Sequence, residues 1–190
     1  MSISYRFVLL PLLFACMLAA LCLPSSVRAA TTTDVRIKIV TADGNIVVQL
    51  DGAHAPLTVA NFLQYVDKHF YDGGTFFRAI PGFVIQGGNH SLEKPTDTPI
   101  KLETPAKTGI LNKDGAISMA RTSDPNSATS EFFLCDGDQP VLDGSATSPG
   151  YAAFGHVISG LNIVRKISHL PAQSELLLTP VKILKIQRVS

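Results

Sequence analysis

One arginine stands in an otherwise apolar run, Phe76-Phe77-Arg78-Ala79-Ile80-Pro81-Gly82-Phe83-Val84-Ile85-Gln86-Gly87-Gly88, where a purely structural strand would carry β-branched residues. Arginine is rarely buried without a partner, so Arg78 is either ion-paired within the fold or lines a cleft where a ligand supplies the acceptors. The rest of the chain offers little competing chemistry. His54, His69, His90, His156 and His169 are scattered without metal-ligand spacing, so no zinc or other metal site is expected. There is no Gly-x-Ser-x-Gly elbow and no phosphate-binding glycine loop; Gly87-Gly88 reads as a bulge or tight bend after a strand. Asp136 and Asp138 lie in a turn and read as solvated turn formers rather than an acid/base couple. Cys135, in Phe132-Phe133-Leu134-Cys135, reads as a small buried apolar residue rather than a nucleophile. What remains is an arginine, a glutamine, backbone amides and apolar side chains. That set cannot do nucleophilic or redox chemistry, but it can hold an apolar side chain beside a carbonyl and stabilise a twisted amide.

The elements that must position these groups are mostly strands. Val35, Ile37 and Ile39 alternate with Arg36 and Lys38, and Asp43-Gly44 precedes Ile46 to Leu50, the pattern of a hairpin with a primed turn. Pro56 suits a first helical position, and Val59, Phe62, Leu63, Val66 and Phe70 recur at helical steps, which predicts an amphipathic helix from Pro56 to about Lys68. Two short strands flank Pro81-Gly82. Residues 89–114 are polar, carry Pro95, Pro99 and Pro105, and read as a long surface excursion. Strand character returns at Ala116 to Met119, at Glu131 to Leu134, at Ala153 to Ile158 and at Val181 to Val189, with a short helix over Gly160 to Ser168. In the second of these, Glu131 and Phe133 share one face and Phe132 and Leu134 the other. Many short strands with recurrent turn signals predict a mainly β barrel or sandwich, whose open ends two amphipathic helices would plug.

Length and composition bound the rest. At 190 residues and 46% apolar content, one domain is enough. Residues 1–29 read as a secretory leader: Arg6 begins it, Phe7 to Leu23 is mostly apolar, and Val27-Arg28-Ala29 supplies small residues for cleavage after Ala29 or Ala30. The competing reading is an uncleaved membrane anchor. Cleavage would remove Arg6 and Arg28, leaving 14 basic against 15 acidic residues and a net charge of −1, which points to neither nucleic acid nor an anionic membrane as partner. It would also remove Cys16 and Cys22, so that Cys135 has no partner for an intrachain disulfide. A leader of this kind implies the periplasm, and residues 34–190 form the expected working domain.

Five blocks now carry a resemblance: Phe77 to Gly88, Ile117-Ser118-Met119-Ala120-Arg121, Thr129 to Leu134, Leu142-Asp143-Gly144 and Tyr151 to Val157. In order and spacing they resemble the cyclophilin-type peptidyl-prolyl isomerases, and the leader together with Met119-Ala120-Arg121-Thr122 resembles the periplasmic bacterial branch. The resemblance covers about Val35 to Val189. It implies a closed eight-stranded antiparallel barrel capped by two α-helices, working as a monomer without a cofactor on proline-containing segments of unfolded or exported proteins. It further implies that Arg78 is the catalytic donor with Gln86 and Phe83 beside it, and that Val84, Ala120, Arg121, Glu131, Phe133, Val141, Leu142 and Tyr151 bind substrate.

The chain departs from the family pattern at several of these positions. Phe77 stands where many members have His, Glu131 where they have Gln, Val141 where they have Trp or Phe, and Tyr151 where a His is common. The loss of an aromatic at Val141 implies weak cyclosporin inhibition. Glu131 either pairs with Arg78 and competes with substrate or accepts backbone hydrogen bonds at the cleft edge. The alternative to an isomerase is a weakly active or inactive peptide-binding chaperone module of the same fold.

Overall fold

The computed structural model describes residues 35–89 and 94–189. The leader proposed for residues 1–29 lies outside them. Nine strands follow in chain order: β1 (Val35–Thr41), β2 (Gly44–Leu50), β3 (Thr75–Ile80), β4 (Val84–Gly88), β5 (Ala116–Met119), β6 (Phe132–Cys135), β7 (Ala153–Ser159), β8 (Ala172–Gln173) and β9 (Leu176–Val189). Three α-helices join them: α1 (Pro56–Asp67), α2 (Pro105–Thr108) and α3 (Leu161–Ser168), with a 3-10 turn at Pro140–Leu142. Neighbouring strands run antiparallel in the order β1-β2-β7-β5-β6-β4-β3-β9, and β9 pairs back onto β1. Eight strands therefore close a ring, and the two-residue β8 hangs on β9 as a short hairpin. Closure leaves no edge in the ring to pair with another chain.

Alternation fills the interior. Ile37 and Ile39 of β1 face Val48 and Ile46 of β2 across the ladder, and all four are fully buried. They join Phe76, Ala79, Ile85, Ile117, Phe132, Leu134, Phe154 and Ile183 in one core. Helix α1 adds Val59, Phe62, Leu63 and Val66; the Phe62 ring lies 5.2–5.4 Å from those of Tyr71, Phe132 and Phe154. Each such buried ring stabilises the fold by about 1.5–3 kcal/mol through burial alone. Val164 and Ile167 of α3 pack into the same core. The helices expected from the apolar spacing are thus present within a residue of their predicted ends; α2, a single turn, lies inside the stretch read as a long surface excursion.

Two turns differ from expectation. The β1–β2 hairpin closes on Ala42-Asp43, neither of which has positive φ, so it is not a primed turn. Thr41 Oγ1 instead accepts from Asp43 N–H and donates to Gly44 C=O, bracing the loop with a side chain. The primed geometry occurs where no turn signal stands: Ser174 (φ 49°) and Glu175 (φ 69°) join β8 to β9. Left-handed backbone costs residues with a Cβ roughly 1–2 kcal/mol each. The closing strand also begins at Leu176, five residues before the predicted Val181.

Candidate active site

A second apolar cluster lies outside the ring, formed by Val84, Ala116, Phe133, Cys135 and Leu142, with Phe83, Ala120 and Tyr151 packed against it. Its existence follows from strand phase. In β4 and β6 one set of side chains enters the core and the alternate set turns outward; the outward pairs Gln86↔Phe133 and Val84↔Cys135 stand side by side.

Arg78 reaches the same face through a bulge. Simple alternation would put Phe76 and Arg78 on one face, yet Phe76 is fully buried in the core and Arg78 is not. The β3–β4 register slips at Phe77: Phe76 pairs with Gly87 and Arg78 with Gln86, which leaves Phe77 extra and turns Arg78 outward. Gly87 permits this, since a Cβ there would lie 2.7 Å from Phe76 Cδ1 and 2.8 Å from Thr75 O. The bulge expected near the glycine pair is therefore on the opposing strand.

The turn after β3 is held hard. Phe83 N–H donates to Ile80 C=O around Pro81-Gly82, with Gly82 at φ 70°. Asp136 Oδ2 accepts from Gly82 N–H at 3.0 Å and from Ser168 Oγ at 2.6 Å, tying the turn to α3. Asp136 is buried, a correction to its expected role as a solvated turn former. Opposite, the segment carrying Leu142 and Tyr151 is fastened by Asn112, which is fully buried. Asn112 Nδ2 donates to Leu142 C=O and Asp143 Oδ1, both at 3.0 Å, and Asn112 Oδ1 accepts from Ser118 Oγ. Arg121 caps the cleft: its guanidinium lies 4.4 Å over the Tyr151 ring and donates to Gly150 C=O.

Between these walls is a hollow of 190 Å³ lined by Arg78, Phe83, Val84, Gln86, Ala120, Arg121, Phe133, Leu142 and Tyr151. That is smaller than a drug-sized pocket and suits a single side chain. An adjoining hollow of 430 Å³ shares Gln86, Ala120 and Arg121 and is edged by Glu131. Val141 does not line the hollow: it sits on the 3-10 turn with 74% of its surface exposed, because that turn directs Leu142 inward and Val141 out.

On the polar side of the cleft, hydrogen bonds link four of the described residues. Glu175 Oε2 accepts from Arg78 Nε at 2.8 Å and Nη2 at 2.6 Å. Arg78 Nη1 donates to Gln86 Oε1 at 3.2 Å, and Gln86 Nε2 donates to Glu131 Oε2 at 2.9 Å. The carboxylate directly on Arg78 is thus Glu175, and Glu131 acts on the guanidinium through Gln86. Sequence reasoning missed Glu175 and Asn112. Behind the pocket, burial pushes the Cys135 thiol up to about 12, which keeps it protonated and inert.

A closed antiparallel barrel with two capping helices and an arginine–glutamine pair beside an outward apolar hollow is the architecture of the cyclophilin barrel. The family model described as cyclophilin type peptidyl-prolyl cis-trans isomerase/CLD matches residues 36–188. Peptidyl-prolyl cis-trans isomerase A of Dickeya dadantii is 43% identical over 148 residues, covering 76% of this chain and 77% of the relative. A peptidyl-prolyl cis-trans isomerase of Acinetobacter baylyi is 42% identical over 170 residues, covering 85% and 88%. Among solved structures, a cyclophilin-type isomerase of Cryptosporidium parvum crystallised with the dipeptide Ala-Pro superposes with a TM-score of 0.72 over 82% of this chain and 99% of that one, at 24% identity. The chain belongs to the cyclophilin-type peptidyl-prolyl cis-trans isomerases, and it resembles the bacterial members.

Proposed function

We propose that this isomerase speeds rotation about X-Pro bonds in exported proteins, with Arg78 as the donor that stabilises the twisted amide. The barrier to that rotation is about 18–20 kcal/mol, because the C–N bond is partly double. In the twisted state the prolyl nitrogen regains a lone pair, so a donor aimed at it binds the transition state better than the ground state. Arg78 fits the task. Three of its five N–H groups are taken by Glu175 and Gln86, and two remain for a substrate. The proline ring enters the 190 Å³ hollow against Phe83, Val84, Phe133 and Leu142. Gln86 and the backbone of Arg121 hold the peptide on either side, so that the ring stays fixed while the rest of the amide turns. The observation that carries this reading is the juxtaposition of an incompletely satisfied guanidinium with a side-chain-sized apolar hollow.

One charge-assisted hydrogen bond contributes about 1.5–3 kcal/mol, which is roughly 10- to 150-fold in rate. Exclusion of water by the hollow must supply the rest. The leader read in residues 1–29 supports action in the periplasm on newly exported chains, and the resemblance implies a monomer that needs no cofactor. Exchange of a short X-Pro peptide, measured by NMR, tests the mechanism. Fast exchange that falls by about 10- to 150-fold in Arg78→Ala is expected. Peptide binding without acceleration in the wild type would instead mean a chaperone module.

A further inference from the structure

We infer that Glu175, at the tip of the β8–β9 hairpin, is a positioning residue for Arg78, fixing the plane from which the two remaining N–H groups meet the prolyl amide. This rests on the role proposed for Arg78. Two contacts on opposite sides hold the guanidinium: Glu175 Oε2 on the edge formed by Nε and Nη2, and Gln86 Oε1 on Nη1. With either one alone, a long side chain can still pivot; with both, its plane is set.

The hairpin is built to deliver this carboxylate. Ala79 N–H donates to Glu175 C=O at 2.9 Å, and Arg78 pairs with Leu176, so Glu175 is latched to β3 by backbone and side chain together. Its own backbone is left-handed (φ 69°), a position at which glycine or asparagine is relaxed and glutamate is not. A turn with only a structural duty gains nothing from glutamate there. The carboxylate is also an acceptor that could compete with substrate for the arginine, but 52% of the Glu175 side chain is exposed. Solvent screens its charge, whereas it does not screen the geometric restraint, so positioning outweighs the electrostatic draw.

Glycine separates the catalytic from the structural role. In the purified enzyme, Glu175→Gly relieves the backbone and removes the clamp, so Tm is expected to stay level or rise while kcat/KM falls by about tenfold. Glu175→Gln keeps an acceptor without the charge and is expected to recover activity to within about threefold of wild type. Added to Arg78→Ala, Glu175→Gly should cost nothing more. Activity unchanged or raised in Glu175→Gly, with Arg78→Ala still impaired, overturns the inference and leaves the role of Arg78 standing. A fall in Tm together with activity, or no rescue by glutamine, makes Glu175 structural or a charge effect and also overturns it. If Arg78→Ala itself keeps full activity, the mechanism proposed for Arg78 fails and Glu175 has nothing to position.

Discussion

At the scale of single residues, the cleft depends on which way one amide points. Glu131 Oε2 can only accept, so Gln86 must turn its Nε2 toward Glu131 and its Oε1 toward Arg78. Glu131→Gln can keep that arrangement and should change kcat/KM by less than about threefold. Glu131→Lys presents a donor, which turns Gln86 about and sets Nε2 against the guanidinium; a loss of about tenfold or more is expected in the same peptide assay. Arg78, Phe83, Gln86 and Phe133 could be grouped from sequence only through the resemblance: a strand's period of two would send Arg78 to the face of Phe76, and Phe83 lies in the turn between β3 and β4. Glu175 could not: it lies nearly 100 positions from Arg78, and neither it nor Ser174 carries a turn signal. Asn112 was hidden likewise, a buried amide in a stretch whose composition reads as surface. Val141 lies exposed rather than lining the hollow, since a side chain's direction on a one-turn 3-10 helix follows from local dihedrals that a resemblance does not carry.

At the scale of elements, helix α1 begins without a side-chain cap of its own, at Ala55. Its cap arrives from afar. The carboxylate of Glu103, 4% exposed, accepts from Leu57 N–H, Thr58 N–H and Thr58 Oγ1, where the helix dipole favours negative charge. Glu103→Ala should lower stability by roughly 2–4 kcal/mol in urea unfolding, while Glu103→Gln, which can still accept, should cost less. The helix was legible from Pro56 and the apolar spacing, but its cap was not, since capping patterns are sought within a few residues of the terminus. The β3 bulge was half legible: Gly87-Gly88 marks the site, but the extra residue belongs to the partner strand.

Over the whole molecule, strand count and turn density made a barrel or sandwich readable from the chain; ring closure came from the resemblance alone, because the pairing of β1 with β9 leaves no local mark. One ion pair ties the end of α1 to the end of β9: Arg188 Nε and Nη2 donate to Asp67 Oδ1 and Oδ2 at 2.8 and 2.7 Å. The hydrogen bonds from Arg188 hold the Asp67 carboxyl below its ordinary range. A depressed pKa stabilises the fold above the unfolded-state value, about 4, and that contribution disappears as pH falls through the folded value. Asp67→Asn should therefore lower stability at pH 7 by no more than about 1 kcal/mol, this being a half-exposed pair, and the gap from wild type should narrow and close as pH falls below the ordinary carboxylate range in parallel thermal melts. Closure also orders events during synthesis. Arg36 finds its β9 partner only in Val189, so the first strand made must wait for the last residues before the ring exists. A ribosome adding about 5–20 residues per second thus holds an incomplete barrel for many seconds. Under the export proposed for this chain, that delay is useful: until β9 is made the barrel cannot close, and an unclosed chain is easier for an export channel to pass.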